Sequence, residues 1–336
     1  MDRFDRHRAI EGWDPDRLRR STVVVVGVGA LGNEVSRLLA MAGVGRLILC
    51  DPDCVELSNL SRTILFRESD IGRPKVEVAA EALHDLAPGT RVEPREGTLL
   101  TGVGLAELRD CSLVMSCLDA RASRVLLAGR CGRVGQAMLD AGTGAWGGEV
   151  RYYGRDGLCY GCGLGDAGRA VEDDPHSCTR PLPEIPTAAS APISAIVGAW
   201  QAASAIRVLC GLSLPSPGVS LGFDHPPSLI DLGRPDPDCP LHDRIEPGVV
   251  TRIDLDDSAT VESLLDHVDT GESLFSWSDF LSSDGFGVSR LVHRAPRSKT
   301  LREIGIAPRE ILPVRQPGPD AALRYLELTA VGEQEW

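Results

Sequence analysis

The stretch TVVVVGVGALGNEVSRLLAMAGVGRLILCD (22–51) decides the fold. It opens on a short β-branched run that ends at Gly27 and reads as a buried parallel strand. ALGNEVSRLLAMA (30–42) follows, good helix formers with apolar residues near a 3.6 spacing. Gly43 and Gly45 stop that helix, and RLILCD (46–51) begins a second strand. Gly27, Gly29 and Gly32 have the G-x-G-x-x-G spacing of a dinucleotide loop between strand and helix, where backbone N–H groups hold phosphate. Asp51 closes the second strand, where a carboxylate accepts bonds from ribose hydroxyls. The loop and Asp51 alone fit NAD and ATP equally. A glycine turn with no ligand is the plainer reading.

Working outward, residues 73–86 read as a helix, CSLVMSC (111–117) as a buried strand and residues 121–131 as a helix. Strand and helix alternate, so the expected fold is α/β, a Rossmann-like doubly wound and mostly parallel sheet. Near 154–192 the pattern breaks into Gly, Pro, Asp and Cys, and ISAIVGAWQAASAIRVLC (193–210) returns as a long helix. A proline-rich stretch spans 215–240. A boundary near 246 divides the chain into 1–245 and a smaller α+β unit at 246–336. In that unit VTRIDLDD, SATVESLLDHV, SRLVHRA, TLREIGI, EILPVRQ and LRYLEL read as strand, helix, strand, short turn, strand, strand, an order compatible with a β-grasp, ubiquitin-like fold.

Composition narrows the function. The 336 residues carry a net charge of −13 with no basic block, a poor electrostatic match for nucleic acid or an anionic membrane. No apolar run is expected to approach the roughly 18 residues of a membrane span. The opening MDRFDRHRAIEG has no apolar core, so it is not read as a signal peptide and a cytoplasmic enzyme is expected. The ten cysteines are too sparse for a disulfide scaffold, which leaves structural, metal-binding or catalytic roles. Cys50, Cys111, Cys117, Cys131 and Cys210 lie in apolar strands or helices and read as core.

The polar string DPDCVELSNLSRT (51–63), with DIGRPK (70–75) after it, is more than a dehydrogenase needs. It resembles the adenylating E1 superfamily: the molybdopterin and thiamine sulfur-transfer activators (MoeB, ThiF), their HesA relatives and the ubiquitin-activating enzymes. That family's pattern is D-x-D-x-V-E-x-S-N-L-N-R-Q followed by D-x-G-x-x-K, and the resemblance covers about residues 3–245. It implies an ATP-dependent adenylyltransferase in which a carboxylate attacks the α-phosphate of ATP, giving an acyl-adenylate and pyrophosphate. Such a site needs fixed cations and a metal. The resemblance places Gly27, Gly29, Gly32, Asp51, Asp53, Asn59, Arg62 and Lys75 around ATP: Asp51 on the ribose, Arg62 and Lys75 on phosphates, Asn59 orienting them. The chain departs at Thr63, where the family has glutamine, and at Ser61, where it has a second asparagine. Lys75 is one of only two lysines, the other being Lys299, so it stands out where the pattern asks for lysine.

Asp119 follows the strand 111–117, where doubly wound folds bind ligand. The family's C-x-D-N there implies Mg2+ on Asp119, although Ala120 replaces the asparagine; a helix N-cap is the plainer role. Arg124 matches an arginine that follows. The opening R-F-D-R-H resembles the family's R-Y-x-R-Q, in which the second arginine, here Arg6, reaches into the partner subunit's ATP site, implying a homodimer.

Cys159 and Cys162 form a C-x-x-C pair, and Cys239 and His242 a C-x-x-H pair far downstream. Two such knuckles make a closed Cys3His set suited to structural Zn2+. A thioredoxin-like redox pair is the rival for the first motif but leaves the second unexplained. Cys178, in HSCTRP (176–181), resembles the catalytic cysteine of E1 enzymes, a thiol that would take the acyl group as a thioester, with His176 and Arg180 to lower its pKa; an inert loop thiol or an alternative zinc ligand is the plainer reading. Larger E1 enzymes carry a C-terminal ubiquitin-fold domain that recruits a conjugating enzyme. No cysteine follows Cys239, which excludes an active rhodanese.

The expected function is therefore activation of the C-terminal carboxylate of a small ubiquitin-like or sulfur-carrier protein ending in Gly-Gly. Within the same chemistry a short peptide or a tRNA base is an alternative substrate. An NAD-dependent oxidoreductase would leave Arg62, Lys75 and the Cys/His pairs without a role, and a silent scaffold is the reading that Thr63 and Ala120 favour.

Overall fold

The computed structural model describes residues 3–169, 189–223, 225–277, 290–317 and 323–329. Helix α1 (Pro15–Arg20) is capped by Asp14, whose side chain accepts from the Asp16 and Arg17 N–H groups, with Pro15 preset for the first turn. The expected unit follows: β1 (Thr22–Val26), α2 (Ala30–Ala42) and β2 (Arg46–Asp51). Gly43 ends α2 in the left-handed conformation, with φ +91°. Next come α3 (Lys75–Leu86), β3 (Arg91–Glu96), α4 (Leu105–Asp110), β4 (Leu113–Ser116), α5 (Arg121–Val134), β5 (Met138–Thr143) and β6 (Gly147–Tyr153). The short α6 (Gly165–Arg169), α7 (Ala191–Leu209), β7 (Gly218–Gly222) and β8 (Ser228–Ile230) complete this half.

The strands form one sheet in the order β3-β2-β1-β4-β5-β6-β7-β8. The pairs from β3 through β5 are parallel and those from β5 to β8 antiparallel. Alternation along β1 divides the core: Val23 and Val25 pack with Leu39, Val76 and Val197 on one face, Val24 and Val26 with Leu105, Leu108 and Leu127 on the other. The register puts Val26 opposite both Cys50 and Ser116, so Gly27 and Asp119 follow, and Asp51 closes, three adjacent parallel strands.

One expectation needs correction. Helix α7, 19 residues, is long and apolar enough by length and composition to cross a membrane. Half of it is buried, and it packs on α2, β5 and β6 as a core helix does.

A second sheet, order β11-β10-β12-β13-β9, is built from β9 (Val250–Ile253), β10 (Ser273–Ser276), β11 (Arg290–Leu291), β12 (Ile311–Arg315) and β13 (Leu323–Leu328), with α8 (Val261–Leu265). First and last strands run parallel, β9 beside β13, and the other pairs are antiparallel. Among the described residues β9 pairs only with β13 and has no hairpin partner. In the SRLVHRA segment only Arg290–Leu291 form a strand among the described residues, and Val292–Arg294 follow as a 3-10 turn.

This unit is fastened to α4 and α5. Glu310 is 2% exposed; it takes the Arg130 guanidinium at 2.8 Å on one oxygen and the Leu105 and Ile311 N–H groups on the other. Arg109 is bidentate on Glu327 at 2.7 and 2.8 Å. Glu310 thus supplies a backbone partner for the first turn of α4, a helix whose own Gly104 cap offers no side chain. Glu310→Ala strands a buried guanidinium and two N–H groups. It should lower stability by about 3–5 kcal/mol in urea unfolding with an unchanged m value; a loss below about 1 kcal/mol, the worth of a surface pair, would contradict the contact.

Candidate active site and metal centre

The glycine loop is dictated by backbone crowding. Gly27 has φ +89°, and a Cβ on it would lie 2.6 Å from the Cys117 carbonyl oxygen. A Cβ on Gly32 would lie 2.0 Å from the Gly27 carbonyl oxygen. Gly29, the N-cap of α2, would meet nothing within 4 Å, so the protein's own packing does not require its glycine. Asn33, fully buried, braces the loop: its amide donates to the Val28 and Gly29 carbonyls, and its oxygen accepts the Leu65 N–H at 3.0 Å. The sequence reading passed over Asn33; an asparagine among apolar helix residues beside a glycine loop was the available signal.

Asp51 holds the loop from the next strand. One carboxylate oxygen accepts the Val28 N–H at 2.6 Å and the other the Asp53 N–H at 2.9 Å. Burial raises its pKa, while Lys75 and those two N–H donors oppose the rise. Lys75 stands at the first position of α3, 8% exposed, with its ammonium 2.7 Å from Asp53 and 3.9 Å from Asp51. The Lys75 N–H bonds the Asp53 carbonyl, and Gly72 and Val55 close the intervening loop. Asp51, Asp53 and Lys75, 24 residues apart in sequence at most, therefore form one cluster beside the glycine loop.

Asn59 is engaged locally, its side-chain oxygen accepting the Glu56 N–H at 3.0 Å. Arg62, half-buried, donates to the Ser58 carbonyl at 2.7 Å. Thr63 donates to the Asn59 carbonyl, which is the work the chain gives this departure from the family pattern. Asp119 is exposed, in the turn between β4 and α5. Behind it lies a group the sequence reading missed: Asp140 on β5, 1% exposed, bonded by Ser116 and Arg124. A carboxylate in the apolar run AMLDAG was the signal. Burial raises its pKa against the pull of Arg124 and Ser116.

Arg6 is not brought to this cluster. Phe4 lies on Gly43 at the far end of α2, and Arg3 donates to Leu86 at the far end of α3. Thirteen residues of α2, about 20 Å at 1.5 Å per residue, separate that end from the glycine loop. Cys178, with His176 and Arg180, lies outside the described residues. The five cysteines read as core are all buried.

Both Cys/His pairs converge. The ligand atoms of Cys159, Cys162, Cys239 and His242 lie within 4.8 Å of one another. Cys159 Sγ is 3.6 Å from Cys162 Sγ and 3.7 Å from Cys239 Sγ, and Cys162 Sγ is 3.3 Å from His242 Nε2. Metal–sulfur bonds of about 2.3 Å in a regular tetrahedron place the sulfurs about 3.8 Å apart, so the donor set fits tetrahedral zinc. Burial and the two neighbouring thiols push the Cys159 thiol up, the situation a divalent cation reverses. The C-x-x-H half also locks to α5: a Cβ on Gly132 would lie 1.9 Å from the Leu241 carbonyl.

A glycine loop, a carboxylate and a buried lysine at the carboxyl ends of parallel strands define a nucleotide-binding α/β enzyme. The chain belongs to the ThiF family, whose model matches residues 4–240. It is similar to the sulfur carrier protein adenylyltransferase of Thermus thermophilus, 32% identical and covering 67% of this chain and 83% of that one. It is also similar to the molybdopterin-synthase adenylyltransferase of Escherichia coli, 31% identical and covering 67% and 88%. Among solved structures it resembles Escherichia coli MccB crystallised with AMPCPP and MccA, at 25% identity and a TM-score of 0.54; the match covers 66% of each chain, just under two thirds of MccB's length. The protein is an E1-like, ATP-dependent adenylyltransferase, and the oxidoreductase reading is set aside.

Gly32→Ala puts a methyl group against a backbone oxygen that cannot yield. ATP affinity, measured by equilibrium dialysis on the folded variant, should fall at least about tenfold; unchanged affinity would contradict the loop geometry.

Proposed function

We propose that the protein adenylates the C-terminal carboxylate of a small ubiquitin-like or sulfur-carrier protein ending in Gly-Gly. The observation that carries this reading is the Asp51, Asp53 and Lys75 cluster beside the glycine loop, joined to relatives that are adenylyltransferases of a sulfur carrier protein and of molybdopterin synthase. A carboxylate oxygen of the carrier attacks the α-phosphorus of ATP. The bond from that phosphorus to the β-phosphate bridging oxygen breaks, and pyrophosphate leaves with the electron pair.

Asp51 holds the ribose, already fixed by two backbone donors. Lys75 exchanges Asp53 for phosphate oxygens, and Arg62 and Asn59 turn from their local partners toward the phosphates. Asp119 contributes a ligand to Mg2+, which when bound offsets charge on the phosphate oxygens. Arg6 acts on the partner subunit's site in a homodimer, a reading supported by its distance from the site of its own chain. A groove of 550 Å3 running from Arg124 and Asp140 past Thr143 to Trp146 and His225 gives the carrier's tail a path. Cys178 then attacks the acyl carbon, forming a thioester and releasing AMP.

Cys159, Cys162, Cys239 and His242 hold a structural zinc that pins the loop around 160 to the end of the adenylation unit, proposed as residues 1–245. Residues 246–336 form the second unit. The protein works in the cytoplasm.

Three measurements check this reading. ATP–pyrophosphate exchange should require an added Gly-Gly carrier and fall about 100-fold in Lys75→Met; exchange with no carrier requirement would argue against the substrate assignment. The carrier adduct on the enzyme should be released by thiols and be lost in Cys178→Ala. Purified protein should contain equimolar zinc by mass spectrometry of the metal, and Cys159→Ser and His242→Ala should lose it with a lower Tm.

A further inference from the structure

The proposed reading gives Asp140 no role beyond a place at the end of that groove, although it is a carboxylate almost wholly buried. Its Oδ1 accepts the Ser116 hydroxyl at 2.6 Å and its Oδ2 accepts Arg124 Nη1 at 3.2 Å. Arg124, in the first turn of α5, donates from Nε and Nη2 to the Leu118 carbonyl at 3.0 and 2.6 Å. That carbonyl belongs to the peptide bond joining Leu118 to Asp119. One guanidinium therefore forks onto the peptide that carries Asp119, and its other arm is held by Asp140.

The surroundings are shaped for this contact. Gly142, two residues on in β5, leaves the guanidinium its place: a Cβ there would lie 3.0 Å from Arg124 Nη1. Gln201 on α7 donates to the Ser116 and Leu139 carbonyls at 3.1 and 2.9 Å, tying together the two strands that present Ser116 and Asp140. Asp119, exposed in a turn, is supported on its N-terminal side by this chain of contacts. Arginine suits the role because its planar fork can hold a carbonyl and a carboxylate at once, which an ammonium cannot do in the same geometry.

We propose that Asp140 is a positioning residue for adenylation: through Arg124 it fixes the Leu118–Asp119 peptide, and so the direction in which Asp119 presents its carboxylate. The inference rests on the reading that Asp119 holds Mg2+ with ATP. Supporting groups of this kind matter for metal sites because a ligand held loosely gives up affinity even when the ligand itself is unchanged.

The test uses the full-length protein and the non-cleavable analogue AMPCPP. The Tm rise that AMPCPP gives with Mg2+, over that without Mg2+, reads metal-assisted binding independently of turnover. In Asp140→Asn, which keeps the shape and an acceptor for Ser116, the Mg2+-dependent part of the rise should shrink toward that of Asp119→Ala, with the ligand-free Tm within the wild-type range. The Mg2+ concentration for half-maximal exchange should rise about tenfold or more. Arg124→Lys, which keeps the charge but loses the fork, should do the same and stands in if Asp140→Asn does not fold. Because the two residues act as a unit, the Arg124→Lys/Asp140→Asn double variant should be no worse than the worse single variant. A full Mg2+-dependent rise in Asp140→Asn alongside a lost one in Asp119→Ala overturns this inference alone. A full rise in Asp119→Ala overturns it together with the metal reading beneath it. Single defects that multiply in the double variant overturn the coupling through Arg124.

Discussion

Everything at the nucleotide site depends on how closely the backbone at Gly27 approaches its neighbours. The Gly27 carbonyl and the Gly32 Cα come so near that a single methyl group would stand 2.0 Å from the oxygen. Gly27 itself is pressed against the Cys117 carbonyl just past the adjacent strand. That crowding turns the chain from β1 into α2 within a few residues. It leaves the Val28 N–H pointing at Asp51, and Asp51 at Lys75. One steric constraint thus orders a donor, an acid and a cation at the carboxyl end of the sheet, before any side-chain chemistry is considered.

One face of the sheet supports this end. Helix α5 begins beside Asp119, carries Arg124 in its first turn, is locked near its end by the Cys/His knuckle at Gly132, and meets the second unit at Arg130. The buried Arg130–Glu310 pair is held by two further N–H donors. This is the arrangement in which a buried ion pair is retained, because removing one partner leaves an uncompensated charge. The second unit is therefore part of the support of α5 and α4, an additional role to any it has in meeting other proteins.

Much of this was legible in the sequence where local pattern and tertiary role coincide. The run 22–51 folds as read, since its valines are buried on both faces and Gly27, Gly32 and Gly45 are required by backbone contact. The two Cys/His pairs, about 80 residues apart, met because short-range spacing already prescribed half of a tetrahedral site in each. Less was legible where context overrides pattern. RVEPRE (91–96) is polar and contains proline, yet it forms β3 because an edge strand needs few apolar residues and can leave one N–H unpaired. SLFS (273–276) is too short to show alternation, and it pairs as β10 because β11 and β12 are there on either side to receive it. Asp140 and Asn33 read as single polar residues in apolar runs; their partners, Arg124 and Leu65, are chosen by the fold and not by neighbours in sequence. The length of α7 would be that of a membrane span, and what decides otherwise is its packing on α2.

The central claim is that a protein's terminal carboxylate is the group that attacks ATP. It is tested most directly by labelling the C-terminal carboxylate of a Gly-Gly carrier with 18O, incubating it with the enzyme and ATP, and examining the AMP released when the acyl group passes from the adenylate to a thiol. The account predicts one 18O atom in the phosphate of AMP, because the attacked phosphorus keeps the carboxylate oxygen when the acyl carbon is transferred. AMP that carries no label from the carboxylate would contradict it.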